Sequence, residues 1–356
     1  MIKTKDTPIS FSGQHFYIGM DVHKKRWVIT VRQNGMRLRS ESIDPSPDVV
    51  QRHLQKHYPE GTFHIAYEAG FCGFWIARRF RELGMKCIVV NPGDIPTSNK
   101  EKDRKTDPVD SNKISRELEA GKLQGIFIPE LEDQHLRSLC RLYRKQVQNK
   151  TRVQNRIKGL LHFNGIELPP HSSQWPSRFI QYLHSLPLDN GPARDYLDLC
   201  LEELQQHRQR ILTITRKLRG YVRSDKSAEI FRHLLTIPGI GFKSAVVLYT
   251  EIIDIHRFRT FDQLKSYCGL VPSTHSTGEK DKTGGLTYRR NRHIRYILIE
   301  AAWVAIRNDG ALLQSFNKLT IHMERQDAIV RIATKLLRRI QYVWKNNQPY
   351  VKGVVQ

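Results

Sequence analysis

Residues 17–90 constrain the chain to a layered α/β domain. Tyr17-Ile18-Gly19-Met20-Asp21-Val22 is a short apolar run, and Trp27 to Arg32 is β-branched and aromatic. Asn34-Gly35 then leads into Met36 to Ile43. Asn-Gly suits tight hairpins because their central residues need positive φ, so hairpin-joined strands are expected over 17–22, 27–32 and 36–43. A helix over 47–57, a strand over 63–67, a helix from about 73 to 83 and a buried strand over 87–90 follow, ended by Asn91-Pro92-Gly93. Such a meander followed by alternating helices and strands hides its apolar faces as a sheet with helices packed on it. No GxGxxG is present, which argues against a dinucleotide site.

From about Leu131 to Gly165 the pattern becomes helical and strongly basic. Arg137, Arg141, Arg144, Lys145, Lys150, Arg152, Arg156 and Lys158 occur without an intervening acid. Leu139, Leu142, Val147, Val153, Ile157, Leu160 and Leu161 recur at roughly helical spacing, so one long amphipathic helix is expected. With no acids interleaved, salt bridges along this helix cannot account for its charge, and contact with a nucleic-acid backbone is favoured over a merely solvated face. A connector rich in Pro, Ser and His, with one short helix, runs from Pro169 to Pro192. A second long helix over 193–222 carries Leu197, Leu201, Leu204, Ile211, Ile214 and Leu218 as its stripe. Two long helices around a connector suggest an antiparallel or coiled-coil arm suited to self-association. A compact helical domain follows. The expected division is 1–125, 126–225 and 226–356.

Charge narrows the partner. Lys and Arg number 58 against 35 acids, a net +23. Such an excess repels itself in a compact state, and the phosphate backbone is the commonest partner that relieves it. No stretch approaches the roughly 20 consecutive apolar residues of a membrane span. The segment Met1 to Ser12 lacks a signal peptide's apolar core. A cytoplasmic nucleic-acid protein with no membrane partner is expected. Cys72, Cys87, Cys140, Cys200 and Cys268 form no CxxC pair, and are read as small buried or half-buried hydrophobes.

Four acids stand out. Asp21 and Glu68 end predicted strands, and strand ends in open α/β sheets converge on one edge, where such folds place their sites. Asp107 and Asp110, at i and i+3, share a helix face. Mg2+ wants oxygen ligands, and phosphoryl-transfer sites pair two ions about 3.5–4 Å apart. Two ions need several carboxylates and one bridge, for which Asp21 on the central strand is the choice. Taken alone, Asp107-Pro108-Val109-Asp110 also reads as a helix start with Asp107 as its cap, and a lone Asp21 or Glu68 as a surface carboxylate. Lys100, Lys102, Arg104 and Lys105 form a basic approach to these acids.

A second constellation lies towards the end of the chain. In Ile237-Pro238-Gly239-Ile240-Gly241, two glycines after a proline let backbone amides approach a phosphate, as in the turn of a helix-hairpin-helix element. Gly239, Gly241 and the adjacent Lys243 are its candidate contacts. Cys268 to Lys280 is a hydroxyl-rich, glycine-containing loop, either an exposed connector or the seat of a nucleophile. It leads to Arg289, Arg290, Arg292 and Arg295, whose charge would suit attack on a phosphodiester.

Tyr17 to Asp21, Tyr67-Glu68-Ala69-Gly70 and Lys105 to Asp110 resemble the three acidic motifs of the DEDD transposases of bacterial insertion sequences. Ile237 to Gly241 and the segment from Gly269-Leu270-Val271-Pro272 to Gly278 are similar to that family's C-terminal domain. The resemblance runs in order over nearly the whole chain. It implies an α/β N-terminal domain similar to the resolvase RuvC (RNase H-like), a coiled-coil arm, and a mostly α C-terminal transposase domain. It also implies Mg2+ on Asp21, Glu68, Asp107 and Asp110, and a serine forming a covalent phosphoserine link to DNA. A dimer or tetramer would combine one subunit's serine with another's acids, guided by a structured bridge RNA that pairs with donor and target DNA. Where the family has serine before the loop glycine, this chain has Thr277, with Ser276 one place earlier. Ser276 is the first choice of nucleophile, Thr277 the second, and Ser273 a remote third. Ser111, after Asp110, stands where the family commonly has alanine. Two other readings remain at this point: a resolvase-like nuclease in which water attacks, and a non-catalytic nucleic-acid-binding protein.

Overall fold

The computed structural model describes residues 10–96, 106–169, 174–188, 191–223, 227–277, 280–287 and 290–352. It divides into two compact units, Met1–Ile128 and Pro129–Gln356.

The first unit carries a five-stranded sheet of order β3-β2-β1-β4-β5. Its strands are β1 (His15–Val22), β2 (Trp27–Gln33), β3 (Met36–Ile43), β4 (Thr62–Glu68) and β5 (Lys86–Val90). Strands β1, β2 and β3 form the antiparallel meander, while β1–β4 and β4–β5 are parallel. Parallel neighbours need a crossover, and α1 (Pro47–His57) and α2 (Trp75–Glu82) provide the two required. Every strand and helix expected before Val90 is present, with ends shifted by at most a few residues.

Alternation along the strands sorts the two faces. Phe16, Ile18 and Met20 of β1, with Phe63, Ile65 and Tyr67 of β4, join one core with Val50, Leu54, Ile76 and Phe80 of α1 and α2. Gly19 and Asp21 of β1, and Ala66 and Glu68 of β4, therefore occupy the opposite face. There α3 (Asp107–Glu119) lies, with Ile114 packed against Ala66 and Val90.

Gly19 sets how closely α3 approaches. A Cβ at this position would sit 2.1 Å from the Ser111 carbonyl oxygen and 2.4 Å from the Ser115 amide nitrogen. Strand and helix thus meet backbone to backbone. Ser111 is wholly buried beside this contact, and its hydroxyl lies 2.8 Å from that of Thr30. A small residue is needed there, and serine meets the need because β2 supplies a hydrogen-bond partner. Gly19→Ala is expected to cost about 3 kcal/mol, since the obstacles are backbone atoms that cannot rotate away. Thermal unfolding measures this, and a loss below about 1 kcal/mol would show that α3 can shift to admit a methyl group.

The second unit begins with α4 (Leu131–Phe163), α5 (Ser177–Ser185) and α6 (Pro192–Arg223). The long helices, 33 and 32 residues, each run roughly 48 Å at 1.5 Å per residue. They are antiparallel: Val153, Ile157 and Leu161 pack with Leu197, Leu201 and Leu204, whereas Cys140 and Tyr143 share a core with Ile214, Leu218 and Val222. Helix α5 caps one end of the pair through Phe179 and Leu183. Helices α7 (Ala228–Leu235), α8 (Phe242–Ile252), α9 (Phe261–Cys268), α10 (Arg292–Asn308), α11 (Gly310–Thr320) and α12 (Arg325–Asn346) complete the unit.

Between α9 and α10 the structure departs from expectation. The hydroxyl-rich segment is an antiparallel hairpin, β6 (Pro272–Thr277) with β7 (Lys280–Leu286), rather than a loop. Small hydroxyl and charged residues give neither strand an apolar alternation, so the pattern that reveals a half-buried strand is missing here. Among the described residues no helix is long and apolar enough to cross a membrane. Cys72 is half-buried and the other four cysteines are buried, all as free thiols.

Candidate active site

The sheet and α3 bring all four acids to one edge of the first unit. Asp21 and Glu68 follow the paired residues Met20 and Tyr67 by one position, so they stand side by side at the ends of two adjacent parallel strands. Beyond Glu68 the chain turns sharply, and the buried Tyr67 hydroxyl ties this turn down by donating to the Gly73 carbonyl at 2.9 Å. Asp107 and Asp110 lie in the first turn of α3. Thr106, not Asp107, takes the cap position, without a side-chain capping bond, and Asp107 and Pro108 lie in the first turn. The Asp107 side chain is left 56% exposed on the site.

Asp21 is half-buried. Burial raises its carboxyl above the ordinary value; His23 opposes that shift, and the like charges of Asp107 and Asp110 add to it. Like charges gathered around a half-buried carboxylate favour a cation among them. Asp110 has a partner of its own, the almost buried Lys113, whose Nζ donates to Oδ1 at 3.4 Å.

Sequence reasoning missed His23. Its Nε2 lies 3.2 Å from Asp21 Oδ2 and 3.5 Å from Asp107 Oδ1. Among the described residues, Asp21, His23 and Asp107 form the group whose donor atoms all lie within 4.8 Å of one another, with Glu68 and Asp110 outside it. The signal was available: two residues apart at a strand end, Asp21 and His23 face the same side while Val22 turns to the core. A set of carboxylate oxygens with one imidazole suits a divalent cation. Lys100, Lys102, Arg104 and Lys105 lie outside the described residues.

In the second unit the basic candidates separate into two groups. Arg141 makes two bonds of 2.8 Å to Glu251, a carboxylate only 1% exposed, and Arg137 donates to the Thr250 carbonyl at 2.8 Å. Arg156 pairs with Glu203. Arg295 is buried and donates to the Thr287 carbonyl at 2.6 Å. These four serve the protein's own interior or its ion pairs. Lys145, Arg152, Lys243, Arg290 and Arg292 are exposed, and Lys150 and Lys158 half-buried. The Arg144 guanidinium lies over the Tyr296 ring, 5.3 Å from its centre.

The turn between α7 and α8 opens on a cleft of ≈ 400 Å³ lined by residues 235–241, Val304, Asn308 and Lys352. Gly239 has φ +85°, and a Cβ there would strike the Ala301 carbonyl at 2.2 Å, which brings the turn flat onto α10. Gly241 is open to solvent. Ser276 and Thr277 lie at the tip end of β6, with Ser276 paired to Asp281 and Thr277 to Lys280; Gly278 and Arg289 lie outside the described residues.

Two family models match the chain. A DEDD transposase model of the IS110 type matches residues 18–164, and one described as "Transposase IS116/IS110/IS902 family" matches residues 231–317. A putative transposase of Sinorhizobium fredii, y4qE, is 29% identical over 81% of this chain and 71% of its own length. The transposase for insertion sequence element IS1533 of Leptospira borgpetersenii is 24% identical over 96% of this chain and 99% of its own. That for IS1111A of Coxiella burnetii is 25% identical over 65% and 62%.

Proposed function

The chain belongs to the IS110/IS116 family of DEDD insertion-sequence transposases, enzymes that cut and rejoin DNA, and from that premise we propose a division of labour between its two units. Asp21, Glu68, Asp107 and Asp110 of the first unit would hold divalent metal, with two Mg2+ ions as the expected complement. A hydroxyl of the second, Ser276 or else Thr277, attacks the DNA. The observation that carries this reading is the placement of Asp21, Glu68, Asp107 and Asp110 on one face at one sheet edge, with Asp107 in the first turn of α3 rather than at its cap.

When bound, the metal supplies positive charge to the phosphate under attack. The attacking oxygen forms a bond to phosphorus, and the bond from phosphorus to a sugar oxygen breaks. The nucleophile's proton passes to solvent and the leaving sugar oxygen gains one, which gives a phosphoserine and a free sugar hydroxyl. Rejoining reverses these steps with a different sugar hydroxyl. One phosphodiester-type bond replaces another throughout, so rejoining needs no energy-supplying cofactor. Lys145, Arg152, Lys243, Arg290 and Arg292, with the Gly239–Gly241 turn, grip donor and target DNA and a structured bridge RNA. The antiparallel helices of residues 126–225 act as an arm for dimer or tetramer assembly, and residues 226–356 present the nucleophile.

Denaturing electrophoresis of the protein with labelled DNA and its copurified RNA tests the reading. A covalent protein–DNA species that is lost in Ser276→Ala and retained in Thr277→Ala is expected, with RNase treatment abolishing its formation. Cleavage at the wild-type rate by the double variant would mean that water is the nucleophile. A species unaffected by RNase would remove the RNA guide.

A further inference from the structure

Resting on the metal reading of the acidic site, we propose that His23 is a nitrogen ligand to the ion held by Asp21 and Asp107, and that it biases this position towards Mn2+ over Mg2+. The geometry points there before any ion is considered. Adjacent ligands around an octahedral ion, each about 2.1 Å from it, stand about 3 Å apart, and opposite ligands about 4.2 Å. His23 Nε2 stands 3.2 Å from Asp21 Oδ2 and 3.5 Å from Asp107 Oδ1, and the three donor atoms all fall within 4.8 Å of each other. His23 Nε2 thus stands from each carboxylate at about the spacing of adjacent ligands, and the two carboxylates lie within reach of one ion. The His23 side chain is 54% exposed, so it has room to make that adjustment.

Stability gives His23 no comparable reason to be there. A polar contact this exposed adds little to stability. As a ligand its effect is specific. Mg2+ prefers oxygen and retains its waters, whereas a first-row transition ion accepts imidazole readily. Two carboxylate oxygens and one nitrogen therefore discriminate between ions in a way that four carboxylates alone do not.

Pulsed electron paramagnetic resonance on the full chain loaded with Mn2+, prepared with 15N-labelled histidine, tests this directly. A 15N coupling to the bound ion is expected in the wild type and should vanish in His23→Ala. That variant should also bind Mn2+ about tenfold more weakly or worse, while its Mg2+ affinity changes by less than about threefold. Bound Mn2+ without histidine coupling, or coupling that persists in His23→Ala, would overturn the role of His23 while leaving the acidic site intact. Failure of Mn2+ to bind the wild type, with no change in Asp21→Asn, would overturn both the proposal and the metal reading beneath it.

Discussion

Asp21→Asn is expected to lower DNA strand cleavage by at least about a thousandfold, because a metal's charge stabilisation is worth several kcal/mol and each 1.36 kcal/mol is a factor of ten. The same substitution should not harm the metal-free fold. Burial, partly offset by His23, raises the Asp21 carboxyl in the folded protein, so the fold prefers the protonated form. Its contribution to stability is full below the ordinary carboxylate range and is lost as pH rises through the raised value. Above that raised value the ionised Asp21 is a strain that asparagine removes. In EDTA, Asp21→Asn should melt at the wild-type temperature or above it, and wild-type stability from this group should improve on mild acidification. Cleavage within tenfold of wild type would take Asp21 out of the chemistry. A lower melting temperature in EDTA would instead make it a structural residue.

The largest effect on stability should come from Glu251. This carboxylate, 1% exposed, receives two bonds from Arg141 and one from Asn291, with Arg137 at 4.0 Å, and so joins α4 to α8 and to the cap of α10. Glu251→Ala takes the buried carboxylate away from Arg137, Arg141 and Asn291 and should cost about 3 kcal/mol, the low end of the range for breaking a buried pair, because the Arg141 side chain is 48% exposed and keeps access to water. Burial alone would raise the Glu251 carboxyl, but the hydrogen bonds and charges of Arg141, Asn291 and Arg137 outweigh it and hold it below the ordinary value. Its stabilising contribution is present above the ordinary carboxylate range and is lost as pH falls through the lowered value. Urea titrations of wild type and variant, repeated from neutral to acid pH, read this out. The gap between the two should narrow on acidification, and a difference below about 1 kcal/mol at neutral pH would reduce Glu251 to an ordinary surface-type pair.

The contrast between α4 and the sheet shows what a sequence can and cannot reveal. The strands were legible because hairpin chemistry at Asn34-Gly35 and apolar alternation are local signals. The basic helix was legible as a helix for the same reason, but the fate of its charges was not. Arg141 lacks an acid nearby in the chain, and its partner lies 110 residues away. A window that contained no carboxylate was read as a face for nucleic acid, although Arg137 and Arg141 are committed to the protein itself. His23 was overlooked for the opposite reason. Its partner Asp21 lies only two residues away, but an acid-only expectation gives an imidazole no place in the set. The β6–β7 hairpin, built of hydroxyl and charged residues, offered no periodicity to detect.

The contact beneath Gly19 has a consequence for how such a chain can diverge. The gap between strand and helix is set by two main chains, so the aliphatic residues around it can be exchanged for others of similar bulk without altering the spacing of the acidic cluster. That spacing behaves as a gauge independent of its surroundings. Drift in the packing would be absorbed at the far ends of α3 and the sheet, while the tolerance at the acidic edge stays tight.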